Sequence, residues 1–134
     1  MKNKCRIILA EDDFIIANDI KLFIEKKGLK VVKIVKSGEE LITAALNKFP
    51  SMIISDITLK GQIDGIEAIS RISEILKVPY IFITGYQEYL SLIYSYNLNP
   101  HKIFIKPIDM EVLYKSIKGI FASSLNIPTQ YYLG

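Results

Sequence analysis

The chain has 134 residues, half of them apolar, and its 17 basic and 14 acidic side chains leave a net charge of +3. That length suits one domain with a single core, burying roughly two thirds of the surface its unfolded form exposes; no uncharged apolar stretch nears the ~20 residues of a bilayer-spanning helix, and the Met1-Lys2-Asn3-Lys4 start has no signal-peptide apolar region. The lysines are scattered along the chain, so the expectation is a soluble cytoplasmic protein with no direct nucleic-acid contact and no membrane insertion.

Apolar runs of strand length alternate with longer stretches of helical period. Cys5, the only cysteine, can form no internal disulfide, and at the entry to a first strand it reads as a small buried hydrophobe rather than a nucleophile. Arg6 to Ala10 is the near-continuous apolar run that burial on both faces demands. Ile16, Ile20, Phe23 and Ile24 follow at helical spacing, with Gly28 closing that helix. Val31 to Val35 predicts a second strand, and Ser37 the N-cap of a helix through Leu41, Ala44, Ala45 and Leu46, stopped by Pro50. Met52 to Ser55 predicts a third strand. A Gly-bearing loop, Lys60 to Gly65, leads into a helix turning Ile66, Ile69, Ile72 and Ile75 or Leu76 inward.

Pro79 opens a fourth strand through Ile83, at an end where a missing amide hydrogen is tolerated. A helix around Glu88 to Tyr96 follows, whose tyrosines are expected as half-buried packing more than as a partner face. His101 is expected at the surface. Ile103 to Ile105 predicts the fifth strand, and a last helix runs from about Asp109 to Ala122 with Leu113, Ile117, Ile120 and Phe121 on its stripe. Residues 1–122 form the expected domain. Residues 123–134, with Pro128 and Tyr131-Tyr132, read as a linker stub or a natural end. Five βα repeats give a doubly wound parallel α/β sheet in three layers, because parallel neighbours need crossover helices and right-handed crossovers place them on both faces.

The polar residues of interest share one kind of place, the carboxyl end of an expected strand. Glu11-Asp12-Asp13 follow the first, Asp56 ends the third, Thr84 the fourth, and Lys106-Pro107 the fifth. In an open parallel sheet those ends converge on one crevice where ligands bind. Carboxylates, a hydroxyl and an ammonium gathered there suit a divalent cation and a phosphoryl group. The plainer alternatives are helix N-caps for the acids, a turn cap for Thr84 and an ordinary strand exit for Lys106. Their conjunction favours the metal and phosphoryl site.

Ile8-Leu9-Ala10-Glu11-Asp12-Asp13, Ser55-Asp56-Ile57 with Gly65-Ile66-Glu67-Ala68, Phe82-Ile83-Thr84-Gly85 and Phe104-Ile105-Lys106-Pro107 resemble, in order and spacing, the receiver domain of two-component response regulators of the chemotaxis type. The resemblance covers about residues 4–122. It implies a flavodoxin-like fold with strand order 2-1-3-4-5, and Asp56 as acceptor of a phosphoryl group from a sensor histidine kinase or phosphotransfer protein. It implies Mg²⁺ (or Mn²⁺) held by Asp12, by Glu11 through water, by Asp56 and by the Thr58 backbone carbonyl, with Asp13 as a trailing acid. It further implies a cis Lys106-Pro107 bond and Lys106 paired with Asp56 at rest. Thr84 would swing its hydroxyl to the phosphoryl group beside an unobstructing Gly85, and Thr58 and Tyr86 would tune hydrolysis. The output would be a surface of the fourth helix, fifth strand and fifth helix, offered to a downstream effector protein or fused output domain and suited to a homodimer.

This chain departs from that pattern at Ile103, where the usual switch aromatic is missing, and in a longer Lys60–Gly65 loop. Asn97 to His101 also replaces the usual small-residue turn. The chemistry is consistent by itself. Mg²⁺ takes six oxygens, typically one or two carboxylates plus phosphate and water, and a carboxylate can serve as nucleophile. On this reading the chain is not an enzyme beyond its own phosphorylation and slow dephosphorylation. Two alternatives are a docking module independent of phosphorylation, which predicts loss of the acidic pair or acceptor, and an aspartyl-nucleophile phosphatase. The phosphatase needs a second aspartate two residues after the first, where this chain has Thr58.

Overall fold

The computed structural model describes residues 4–125. Strands β1 (Arg6–Ala10), β2 (Lys30–Val35), β3 (Met52–Asp56), β4 (Tyr80–Thr84) and β5 (Lys102–Ile105) alternate with helices α1 (Phe14–Lys26), α2 (Gly38–Lys48), α3 (Gly65–Ser73), α4 (Tyr89–Ser95) and α5 (Met110–Ser124). The strands form one sheet in the order β2-β1-β3-β4-β5, every pairing parallel. This is the expected flavodoxin-like, doubly wound arrangement.

Strand alternation explains the three layers. Ile7 and Leu9 of β1, with Ile54, Ile81 and Ile83, pack against Ala17, Ile20 and Ile24 of α1 and Leu113 and Ile117 of α5. Ile8 and Ala10, with Ile53 and Phe82, face Leu41 and Ala45 of α2, Ile66, Ile69 and Ile72 of α3, and Ile93 of α4. Both faces of β1, β3 and β4 are therefore covered, which is why their sequences are almost unbroken apolar runs. Each fully buried Ile or Leu contributes roughly 1.5–3 kcal/mol. Cys5 belongs to the α1/α5 core, and burial pushes its thiol up to about 12, as expected of a packing residue.

Most helix starts are capped by side chains. Asp13 accepts from the N–H groups of Ile15 and Ile16, Asp64 from Glu67, and Asp109 from Val112. Ser37 accepts from the Glu40 N–H at 3.1 Å as a side-chain N-cap, and donates its hydroxyl to Glu40 Oε1 at 3.2 Å, which holds it in place. At the far end of α2, Phe49 turns left-handed (φ 47°) as the C-cap, its N–H reaching the Ala45 carbonyl, and Pro50 cannot continue the helix. The Arg6 guanidinium donates to the Lys48 and Phe49 carbonyls, 3.0 Å each, satisfying helix-end acceptors. Gly28, just past the α1 cap, has φ +92°, the left-handed value expected of a helix-closing glycine.

α3 stops at Ser73, and of the pair Ile75 or Leu76 expected inward it is Leu76 that stays partly buried while Ile75 is exposed, as that expectation allowed. Two expectations needed revision. α4 is only seven residues long with no side-chain cap at Glu88. Its buried stripe is Ile93, flanked by half-buried Tyr89, Leu90 and Leu92, which leaves Tyr94 68 % exposed and Tyr96 exposed as well. Half-buried packing therefore holds for Tyr89 and fails for the other two. α5 runs to Ser124, two residues beyond Ala122; Pro128 and Tyr131-Tyr132 lie outside the described residues. His101 is exposed, its ring edge-on to Tyr80 at 6.4 Å. Among the described residues no helix is long and apolar enough to cross a membrane.

β1 has β2 on one side and β3 on the other, so the chain leaves the carboxyl ends of β1 and β3 in opposite directions. A crevice opens at such a switch point.

Candidate functional site

Glu11 and Asp12 leave β1 in the turn before α1, and the Glu11 N–H still donates to the Val35 carbonyl at 3.0 Å, extending the sheet ladder by one bond. Asp56 is the last residue of β3 and Thr84 of β4, while Lys106 follows β5 and ties its N–H to the Thr84 carbonyl at 2.8 Å. The chain then turns through a cis Lys106-Pro107 bond.

These ends converge. Glu11, Asp12 and Asp56 each offer a carboxylate oxygen, all within 4.8 Å of one another. Glu11 is 1 % exposed and Asp56 5 %, while Asp12 is half-buried. Lys106 Nζ lies 2.7 Å from Asp56 Oδ2 and 2.9 Å from Glu11 Oε1. Asp56 Oδ1 accepts the Thr58 N–H at 3.2 Å, and Glu11 Oε2 accepts the Asp13 N–H at 3.0 Å. Asp13 itself turns to cap α1, so of the three consecutive acids two face the crevice and one serves the helix.

Glu11 Oε1 is the exception in this network. It is buried and, though close to the ammonium, has no donor aligned for a hydrogen bond among the described residues. The Lys106 ammonium at 2.9 Å is its only charged partner among the described residues, so this buried oxygen keeps a free lone pair towards the crevice. Three carboxylate oxygens within 4.8 Å of one another are the ligand type a hard divalent cation takes, so the residues present fit Mg²⁺. Charge balance agrees. Burial pushes the Glu11 carboxyl above its ordinary range, and the nearby Asp56 charge adds to this, with Lys106 and the Asp13 N–H pulling the other way. For Lys106, burial disfavours the ammonium, but its contacts with Asp56 and Glu11 outweigh burial and hold it above the usual lysine value.

The remaining expected residues divide. The Thr84 hydroxyl accepts the Tyr86 N–H at 3.1 Å and donates to the Tyr86 carbonyl at 3.4 Å, so in this state it caps the β4–α4 turn. Tyr86 is exposed, its ring edge-on to Tyr89 at 5.9 Å. A Cβ placed at Gly85 would meet no atom within 4 Å, so no protein neighbour requires glycine there. The Thr58 side chain is exposed, and Ile103 packs against the core cluster on the α4 side of the sheet.

Two supports were missed from sequence. The Ser55 hydroxyl donates to the Asp56 carbonyl at 2.8 Å, and Gly65 donates its N–H to Ile57 O at 2.8 Å while its own Cα passes so near that a Cβ would lie 2.0 Å from Asp56 O. A small residue beside the β3 end and a glycine at a helix start were visible signals, but only a tertiary contact gives them meaning.

The profile of the response regulator receiver domain matches residues 7–118. Phyllosphere-induced regulator PhyR of Methylorubrum extorquens is 32 % identical over 83 residues, covering 61 % of this chain and 31 % of that protein. The probable transcriptional regulator ycf29 of Porphyra purpurea is 33 % identical over 125 residues, covering 90 % of this chain and 58 % of that protein. The chain thus spans less than two thirds of either relative. The crystal structure of the signal receiver domain of a modulated diguanylate cyclase from Desulfovibrio desulfuricans G20 superposes with a TM-score of 0.83 at 26 % identity, covering 92 % of this chain and 98 % of that one. With the acidic crevice, its bridging lysine and the sheet order already in place, this chain belongs to the response regulator receiver domain family.

Proposed function

We propose that Asp56 accepts a phosphoryl group from a phosphohistidine donor, and that the resulting charge switches the surface built from α4, β5 and α5. The observation that carries this reading is the meeting of Glu11, Asp12 and Asp56 oxygens within 4.8 Å, with Lys106 Nζ 2.7 Å from Asp56. Receiver domains are signalling modules rather than ordinary enzymes, and response regulators act with histidine kinases and effectors. The kinase of this chain and its output, whether a separate effector or a domain on the same polypeptide, belong to the proposal.

Glu11, Asp12, Asp56 and the Thr58 carbonyl are the groups that would hold Mg²⁺. When bound, the ion screens the carboxylates from an incoming phosphate and stabilises charge on the transferring group. An Asp56 oxygen forms the new P–O bond as the donor P–N bond breaks, and the electron pair stays on the imidazole nitrogen, which then takes a proton. Lys106 exchanges its Asp56 contact for a phosphoryl oxygen. Thr84 gives up its turn-capping bonds to donate to another, so the β4–α4 and β5–α5 turns gain charge-assisted hydrogen bonds in one arrangement only. That differential contact biases the surface between two states. Tyr86 borders the path of hydrolytic water, and its bulk prolongs the phosphoryl state; equal lifetimes in the native protein and Tyr86→Ala would remove that role.

Incubation with acetyl phosphate and Mg²⁺, followed by intact mass, tests the reading. A single phosphate adduct is expected, absent without Mg²⁺ and absent in Asp56→Asn. No adduct would favour a docking module, and sustained phosphate release from diverse esters would favour a phosphatase.

A further inference from the structure

The loop that follows Asp56, residues 58–64, is not free. Lys60 donates its N–H to Lys36 O at 3.0 Å, and Gly38 donates to Ile63 O at 3.1 Å. Between these ties the Glu39 carboxylate receives two backbone donors, the N–H groups of Gln62 at 3.2 Å and Ile63 at 3.4 Å. The fit is close on both sides. A Cβ at Gly38 would lie 2.2 Å from Ile63 O, and Gly61, at φ +86°, passes so near that its Cβ would sit 2.7 Å from Glu39 Oε1. Hydrogen bonds from its own N–H and from Gln62 hold the Glu39 carboxyl below its ordinary range.

The other end of this loop touches the acceptor. Thr58 donates its N–H to Asp56 Oδ1 while Lys106 takes Oδ2, so the Asp56 carboxylate is oriented from both sides. The lysine half of that pair is set by β5, and the Thr58 half by the loop. We infer that Glu39 is a positioning residue: by clamping residues 58–64 to the start of α2, it fixes the Thr58 backbone and with it the orientation of Asp56. The inference rests on the proposed phosphoryl-acceptor reading for its consequence, though not for its geometry.

Adjacent Glu40 supplies an internal control. It carries the same charge in the same helical turn, but its carboxylate accepts from the Ser37 hydroxyl rather than from the loop. Amide hydrogen exchange on the metal-free protein and Mg²⁺ calorimetry on Glu39→Ala, Glu39→Gln and Glu40→Ala test the clamp. In Glu39→Ala the amides of Thr58, Gln62 and Ile63 are expected to exchange at least about tenfold faster with β1 amides unchanged. The Mg²⁺ dissociation constant should rise about tenfold, at the lower end for groups that support metal ligands from behind. Glu39→Gln, which keeps an acceptor oxygen, should fall between, and Glu40→Ala, which loses only its contact with the Ser37 hydroxyl, should change Thr58 exchange and Mg²⁺ affinity far less than Glu39→Ala. Unchanged Thr58 exchange in Glu39→Ala would overturn the inference, as would equal effects in Glu40→Ala. Should the native protein take no Mg²⁺, the phosphoryl reading fails and the exchange comparison alone decides on the clamp.

Discussion

Lys106 separates two carboxylates that are otherwise buried against each other. Its contacts raise its affinity for a proton, so the stability they contribute is fully present below the ordinary lysine pKa of ~10.4 and is lost as pH climbs through the higher native value. Lys106→Met should lower stability at pH 7 by about 1–3 kcal/mol, the pair being partly solvated. Glu11, whose carboxyl is held above its usual range, adds a term of the same sign at lower pH. Protonating it relieves the cluster, so the variant should recover relative to the native protein as pH falls towards 4, and added Mg²⁺ should have the same effect. Urea titrations across pH check both, and a deficit that grows on acidification would contradict this electrostatic account. Cys5 makes a separate prediction. Its thiol, raised to about 12 by burial, should resist a disulfide reagent at pH 8 in the folded protein and react at once in urea. Rapid labelling of the native state would mean that the strand entry opens easily.

At the level of elements, the turns matter more than the strands they join. Gly65 and Gly38 each admit a neighbouring carbonyl that a methyl group would strike, at 2.0 and 2.2 Å. Gly65→Ala should therefore displace the Asp56 backbone and weaken Mg²⁺ binding, whereas Gly119→Ala, with nothing within 4 Å, should leave binding unchanged. Calorimetry on both variants distinguishes a local clash from a general glycine effect. Ser37→Ala removes the side-chain cap of α2 and should cost about 1 kcal/mol in chemical denaturation. α4 stands apart as a short helix with no side-chain cap and one buried residue. Its fewer anchors put it at the low-stability end of the fold, where a switching surface would be drawn from.

Across the whole molecule, the sheet was legible in the sequence because burial on both faces leaves unbroken apolar runs, and the crevice because each run ends in a chemically distinct residue. Glu11, Asp12, Asp56 and Lys106 could be placed together from that rule alone. Residue type alone did not separate Asp13 from its neighbours, and only the family resemblance set it apart as a trailing acid, because the choice between helix cap and crevice depends on backbone direction. Exposure of Tyr94 and Tyr96 escaped for a related reason: a two-turn helix has too little length for periodicity to reveal its inner face. The Glu39 clamp joins residues far apart in the chain through backbone donors, which carry no residue signature. The core itself should behave as one unit. Ile54→Ala, beneath the site in the α1/α5 core, should cost about 2–5 kcal/mol, and a smaller loss in urea unfolding would argue against tight packing there.

Phosphoryl acceptance by the Asp56 carboxylate can be read directly by reductive trapping. After acetyl phosphate and Mg²⁺, borohydride converts an aspartyl phosphate to homoserine, and peptide mapping locates the change. Reduction is expected at Asp56 alone, dependent on Mg²⁺; trapping at Asp12 or Glu11, or no trapping while the protein remains folded and Mg²⁺-bound, would contradict Asp56 as the acceptor.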